Sequence, residues 1–265
     1  MITSNQIYHG RFTDPEGTHY TGDILIVNDQ ETRHGNGKDV YNDSDNSVYV
    51  GSFQNDQKHG YGNFMSNEID YSGDYKNNLK EGDGCLIFND HDLFVTYVGQ
   101  FFSDHLQGVG TMRYRDGSNY EGGWAKGKRD GKGVFTFSRA RIKDSSGHSD
   151  ASILLDRFSG SWSDNKKHGL GTLFFRNGAY LEGEWHNDKI KSGTLTFNSN
   201  HPKFLSCQNY ICDLEENHFP LINPKILSNN HYKITYRNSP IKFYKSRNGI
   251  YSGYLKYDQR HGFGT

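Results

Sequence analysis

The chain is poor in the residues on which most compact folds and most chemistries are built. Three cysteines, Cys85, Cys207 and Cys212, in 265 residues are too few for a disulfide framework and fit a reducing compartment. Cys207 and Cys212 would need two more ligands to hold zinc. Only His201 and His218 lie near them, so no metal site is expected. Four of the five prolines, Pro202, Pro220, Pro224 and Pro240, fall in residues 194–248, a stretch with no glycine. No run of 18 apolar residues exists, which excludes a hydrophobic spanning helix. The opening MITSNQIYHG lacks a basic-then-apolar leader, and Ile2 does not fit N-myristoylation. A cytoplasmic protein is therefore expected, peripheral at most to a membrane or the cytoskeleton.

Catalytic signatures are missing too. There is no Walker loop, no GxSxG, no HExxH, no dinucleotide fingerprint after a strand, and no paired general acid and base. The chain reads as a non-enzyme with no cofactor. Neither sign of charge dominates: 30 basic residues stand against 31 acidic ones, which disfavours a nucleic-acid binder. The charge is unevenly placed, however. Residues 1–92 carry 6 basic and 16 acidic residues, and residues 93–265 carry 24 and 15. Aliphatic residues are too few for a thick core.

What the chain does have is 31 glycines, 18 tyrosines and 17 phenylalanines, arranged by rule. The stretch NYEGGWAKGKRDGKGVFTF, residues 119–137, places Tyr120, Gly122 and Trp124 at alternate positions. It then places Gly131, Gly133, Phe135 and Phe137 at alternate positions. Side chains two apart share a face of a strand. The spacing predicts a hairpin with one aromatic face and the polar residues 125–130 as its turn. Glycine weakens a strand unless something must approach the backbone, so the glycines are expected to leave slots for rings from the adjoining strand. The pattern recurs at Tyr49-Gly51-Phe53 with Gly60 and Gly62, and at Tyr71-Gly73-Tyr75 with Gly82 and Gly84. It recurs again at Tyr97-Gly99-Phe101 with Gly108 and Gly110, and at Phe158-Gly160-Trp162 with Gly169 and Gly171. A period of about 22 to 26 residues suits one hairpin plus a connection. The GxG pairs open strands rather than helices, so they are not phosphate loops. His34, His59, His168 and His261, each just before the first glycine of a pair, read as turn residues rather than metal ligands.

This combination resembles the MORN repeat, close to YxGxW followed by GxG. The resemblance covers most of residues 20–197 and returns at 249–265. It implies an all-β fold: an elongated single-sheet solenoid of stacked antiparallel β-hairpins. Residues 1–19 form a partial unit around Tyr8, Gly10 and Phe12. The unit starting at Tyr20 has its glycines, Gly35 and Gly37, four residues late, so a longer hairpin loop is expected there. Residues 138–157 read as a loop insertion. Residues 198–248 read as a packed insertion, because the glycine slots are absent, or as two degenerate repeats. A final truncated unit occupies 249–265. Its unfinished hairpin suggests a fragment, or an edge that meets a partner.

Two constellations point to function. Tyr120, Trp124, Trp162, Tyr180 and Trp185 form an aromatic stripe whose open part would hold a protein partner or a second copy of the chain. Lys126, Lys128, Arg129, Lys132, Arg139, Arg141 and Lys143 form a basic stretch suited to anionic lipid head groups. The resemblance implies a scaffold or targeting module. The alternative to a protein scaffold is a phospholipid-binding arm of a larger enzyme, of lipid-kinase or SET-methyltransferase type, with its catalytic domain beyond Thr265.

Overall fold

The computed structural model describes residues 6–45, 47–138, 155–176, 178, 180–198, 221–227, 231–237, 242–246, 249–256 and 259–261. Among them are twenty strands and no helix. The chain divides into two units, Met1–Arg115 with Gly123–Lys128, and Asp116–Gly122 with Arg129–Thr265. In the first unit lie β1 (Ile7–Thr13), β2 (His19–Val27), β3 (Gln30–Val40), β4 (Val48–Gln54) and β5 (Gln57–Met65). They are followed by β6 (Ile69–Lys76), β7 (Leu79–Phe88), β8 (Phe94–Phe102) and β9 (His105–Tyr114). Each pairs antiparallel with the next. β10 (Asn119–Ala125) contributes to both units. The second unit continues with β11 (Lys128–Thr136), β12 (Leu155–Ser163), β13 (Lys166–Phe175), β14 (Tyr180–His186) and β15 (Lys189–Asn198), again paired in sequence. β16 (Leu221–Leu227) and β17 (His231–Arg237) form a hairpin, and β17 lies against β15. β18 (Lys242–Ser246), β19 (Gly249–Lys256) and β20 (Gln259–His261) make a small meander.

The hairpin turns are shorter than the polarity of residues 125–130 led us to expect. Two residues with positive φ make seven of the described turns: Asn28–Asp29, Asn55–Asp56, Asn77–Asn78, Ser103–Asp104, Lys126–Gly127, Asp164–Asn165 and Asn187–Asp188. Such two-residue turns match the twist of the flanking strands, and Asn, Asp and Gly tolerate the left-handed region best. Residues 128–130 are therefore strand, not turn. The late glycines of the Tyr20 hairpin have the same explanation. Its turn is also two residues, and the extra residues lengthen β2 and β3, where Leu25, Ile26 and Val27 face Thr32, Glu31 and Gln30.

The two glycines of each pair do different work. Gly51 lies opposite Gly62, but the next paired position is Phe53 opposite Lys58, with a bulge between. Gly60 sits in that bulge at φ +83°, and a Cβ there would meet only Ser52. It is required for its backbone conformation. Gly62 is required for space, because the Tyr49 ring lies against it, and Tyr49 equally covers Gly51 of its own strand. The expected slot is thus real and holds one ring over a glycine from each of two strands. These space-giving glycines align across the sheet. In the first unit the row is Gly10, Gly22, Gly37, Gly51, Gly62, Gly73, Gly84, Gly99 and Gly110. In the second, Gly133, Gly160, Gly171, Gly183 and Gly193 follow one another, and the next position opposite is Tyr236.

Of the inserted segment 138–157, residues 155–157 begin β12 and 139–154 lie outside the described residues.

Candidate interaction surfaces

The rings over the glycine rows form two continuous zippers. In the first unit the order of contact is Tyr20, Phe53, Tyr49, Tyr75, Tyr71, Phe101, Tyr97 and Trp124. Every step is edge-to-face, with centroids 5.1–5.4 Å apart. In the second unit Tyr120, Trp162, Phe158 and Trp185 continue in the same way at 5.3 Å. Edge-to-face contact sets the positive rim of one ring on the negative face of the next, and each pair adds about 0.5–1.5 kcal/mol beyond burial. The sheet thus makes a core from a single layer.

Polar ends of the rings are also satisfied. The hydroxyls of Tyr20, Tyr49, Tyr71 and Tyr97 each donate to the carbonyl three residues ahead, at 2.7–3.0 Å. The indole N–H groups of Trp124, Trp162 and Trp185 donate to the carbonyls of Gly110, Gly133 and Gly171. Burial pushes the Tyr20 hydroxyl up to about 12 and raises those of Tyr49, Tyr71, Tyr75 and Tyr97 further.

A cation caps most of the rings, a feature the aromatic reading missed. Arg33 lies over Phe12 and Tyr20, Lys58 over Tyr49, Lys80 over Tyr71, Arg129 over Trp162, and Lys167 over Trp185. Each stands two residues before the first glycine of its pair, so the signal was in the repeat. Arg33 is the most deeply held, ion-paired to Asp14, Asp39 and Asp56 at 2.5–3.0 Å. Its burial opposes the charge, but hydrogen bonds to Asp39 and Asp14 outweigh that and hold the guanidinium above its ordinary range.

The tips of neighbouring hairpins are tied together. The second turn residue of one hairpin donates its N–H to the cation's carbonyl in the hairpin before, and its side-chain oxygen accepts that cation's N–H. Asp56 does this with Arg33, Asn78 with Lys58, Asp104 with Lys80, Asn165 with Arg129 and Asp188 with Lys167.

This geometry decides where the sequence-derived candidates stand. Tyr120, Trp124, Trp162 and Trp185 are zipper members, at most 6% exposed. The expected open aromatic stripe is filled by the rings themselves, and only Tyr180 of the five is half-buried. Of the basic stretch, Lys126 and Lys128 are exposed at the β10–β11 tip. Lys132 is exposed and its Nζ donates to Ser161. Arg129 is half-buried, 4.5 Å from the Trp162 ring centroid, and donates to the Asn165 carbonyl. It is a packing residue, because Trp162 draws the guanidinium down onto the ring face. Arg139, Arg141 and Lys143 lie outside the described residues. His34, His59, His168 and His261 are in strands, not turns. No group of metal-ligating residues occurs among the described residues. Among them, too, no helix is long and apolar enough to cross a membrane.

Apolar surface remains on the face opposite the rings. Val50 and Tyr61 precede the paired glycines Gly51 and Gly62, and Val98 and Val109 precede Gly99 and Gly110. These four are 40–65% exposed. Leu170, before Gly171 in the second unit, is 69% exposed.

Seven segments match the family model described as MORN repeat: residues 49–66, 71–93, 97–119, 120–139, 158–180, 182–191 and 251–265. No curated protein matches the chain.

Proposed function

The chain belongs to the MORN-repeat family, and from that premise we propose that it is a non-catalytic module holding a protein partner on the sheet face opposite its rings. One observation carries this reading. Ring, glycine and cation positions stay nearly constant from hairpin to hairpin, whereas the two outward residues before the paired glycines vary. They are Val50 and Tyr61, Ser72 and Asp83, Val98 and Val109, Glu121 and Lys132, then Ser159 and Leu170. A constant frame with a varied, partly apolar outer face suits recognition, since clustered exposed apolar residues mark interaction surfaces. The partner is another protein or a second copy of the chain.

A test captures partners with the full chain and with a Val98→Glu, Val109→Glu variant. Both residues are exposed, so the variant should keep its melting temperature and lose the partner. Capture of the same partner in the same amount would remove this face from the reading. A second reading, contact with an anionic membrane surface, is favoured by the exposure of Lys126 and Lys128 at one tip. Near-surface basic residues contribute about 1 kcal/mol each. Flotation with phosphatidylserine vesicles, lost on Lys126→Glu with Lys128→Glu, would support it.

A further inference from the structure

Three of the five capping cations are ion-paired to an aspartate at the tip they face; the other two, Arg129 and Lys58, face asparagine, and of these Arg129 donates from its guanidinium to the Asn165 carbonyl. Asp56 pairs with Arg33 at 3.0 Å, Asp104 with Lys80 at 3.4 Å, and Asp188 with Lys167 at 3.8 Å. Lys58 faces Asn78, whose side-chain oxygen takes the Lys58 backbone N–H at 2.8 Å and brings no charge. The Lys58 Nζ sits among four rings instead, 5.0 Å from the centroid of Tyr41, 4.9 Å from Tyr49, 5.0 Å from Phe64 and 5.8 Å from Tyr75.

The charged groups around it do not compensate. Asp39 on β3 is already bound by Arg33, and Asp104 at the β8–β9 tip is bound by Lys80. Lys80 and Arg33 themselves repel a second cation. Burial is the largest effect on the Lys58 amine and pulls it down to about 8, against weaker support from Asp39 and Asp104. The side chain is half-buried, so solvent still reaches it.

We propose that Lys58 is an acyl-acceptor lysine, modified by small thioesters. The uncharged Nζ attacks the thioester carbonyl carbon, the C–S bond breaks, and the thiolate leaves. The nitrogen gives up one proton, which the thiolate or solvent takes. The product is a neutral amide in the ring cage. It removes a charge that burial disfavours. At pH 7 an amine titrating near 8 is about one-tenth free base, against roughly one part in 2,500 for an ordinary lysine. Accessibility to reagent offsets part of that advantage.

The test incubates the full chain with S-acetyl-N-acetylcysteamine from pH 6.5 to 10, with acetylation at each lysine read by peptide mass spectrometry. Lys80 and Lys167 are the internal references, because they occupy the same repeat position with aspartate partners. Lys58 should react more than tenfold faster than either at pH 7, with a midpoint near pH 8. Asn78→Asp installs the residue found at the Asp56 and Asp104 tips. It should slow Lys58 more than tenfold at pH 7 and leave the references unchanged. A Lys58 rate at or below that of Lys80 across the pH range would overturn the proposal in the unaltered chain, whatever the variant does. An unchanged Lys58 rate in a folded Asn78→Asp variant would overturn the role given to Asn78.

Discussion

The Tyr120 ring lies across Gly133 of the neighbouring strand so closely that a Cβ there would fall 2.5 Å from two of its ring carbons. Gly131, two residues earlier, has nothing within 4 Å of its Cβ position but holds φ at +85°. The two glycines therefore fail differently. Gly133→Ala should destabilise the chain by about 1–3 kcal/mol through overpacking. Gly131→Asn should cost under about 1 kcal/mol, because Asn tolerates the left-handed region. Urea unfolding of the two variants checks this, and equal costs would refute the division of labour.

The turn at Lys126–Gly127 puts a lysine at φ 50° where most of the other hairpins have Asn or Asp. Lys126→Asn should stabilise the chain by roughly 0.5–1 kcal/mol, since lysine is held where Asn is better suited. Thermal unfolding reads the gain. The same substitution removes one exposed cation and so also weakens any vesicle binding.

Arg129 separates packing from lipid contact. Arg129→Ala should cost about 1–2 kcal/mol, from the lost contact with Trp162 and the lost hydrogen bond to Asn165. Lys126→Ala should cost next to nothing. Equal, negligible costs would return Arg129 to the surface charges.

Stability should fall steeply in alkali. The hydroxyls of Tyr20, Tyr49, Tyr71, Tyr75 and Tyr97 are raised above their ordinary value of 10, chiefly by burial. In the unfolded chain they lose protons near pH 10, while the folded chain keeps them. Their contribution is fully present below pH 10 and is lost as pH rises above it, at up to about 1.4 kcal/mol per pH unit for each tyrosine. Lys58 acts in the opposite sense between about 8 and its unfolded value, because its folded value is lowered, but it is one group against five. Unfolding midpoints measured from pH 8 to 11 should drop beyond pH 10. A flat profile would contradict burial of the hydroxyls.

Much of this fold was legible in the sequence because its physics is local and repeated. The Tyr-any-Gly spacing already placed ring and glycine on one face, and from β1 to β9 and from β11 to β15 the strand order follows chain order. The turns were misread because polarity extends beyond them. Lys128, Arg129 and Asp130 are polar yet lie in β11. Late placement of Gly35 and Gly37 looked like a longer loop because adding residues to both strands of a hairpin gives the same spacing. The binding surface was harder still. A stripe of rings reads as exposed until it is clear that successive rings cover each other and that Arg33, Lys58, Lys80, Arg129 and Lys167 close over them. That closure depends on cross-strand register, which bulges such as the one beside Gly51 reset.

The three tryptophans of the chain, Trp124, Trp162 and Trp185, all belong to the zippers, so their fluorescence reports on the ring face alone. Acrylamide quenching of the free chain, and of the chain bound to its captured partner, tests directly whether that face is closed and binding uses the other one. Quenching should be several-fold weaker than in the urea-unfolded chain and should not change when the partner binds. Quenching close to the unfolded value in the free chain, or a marked loss of it on binding, would mean that the rings are the contact surface.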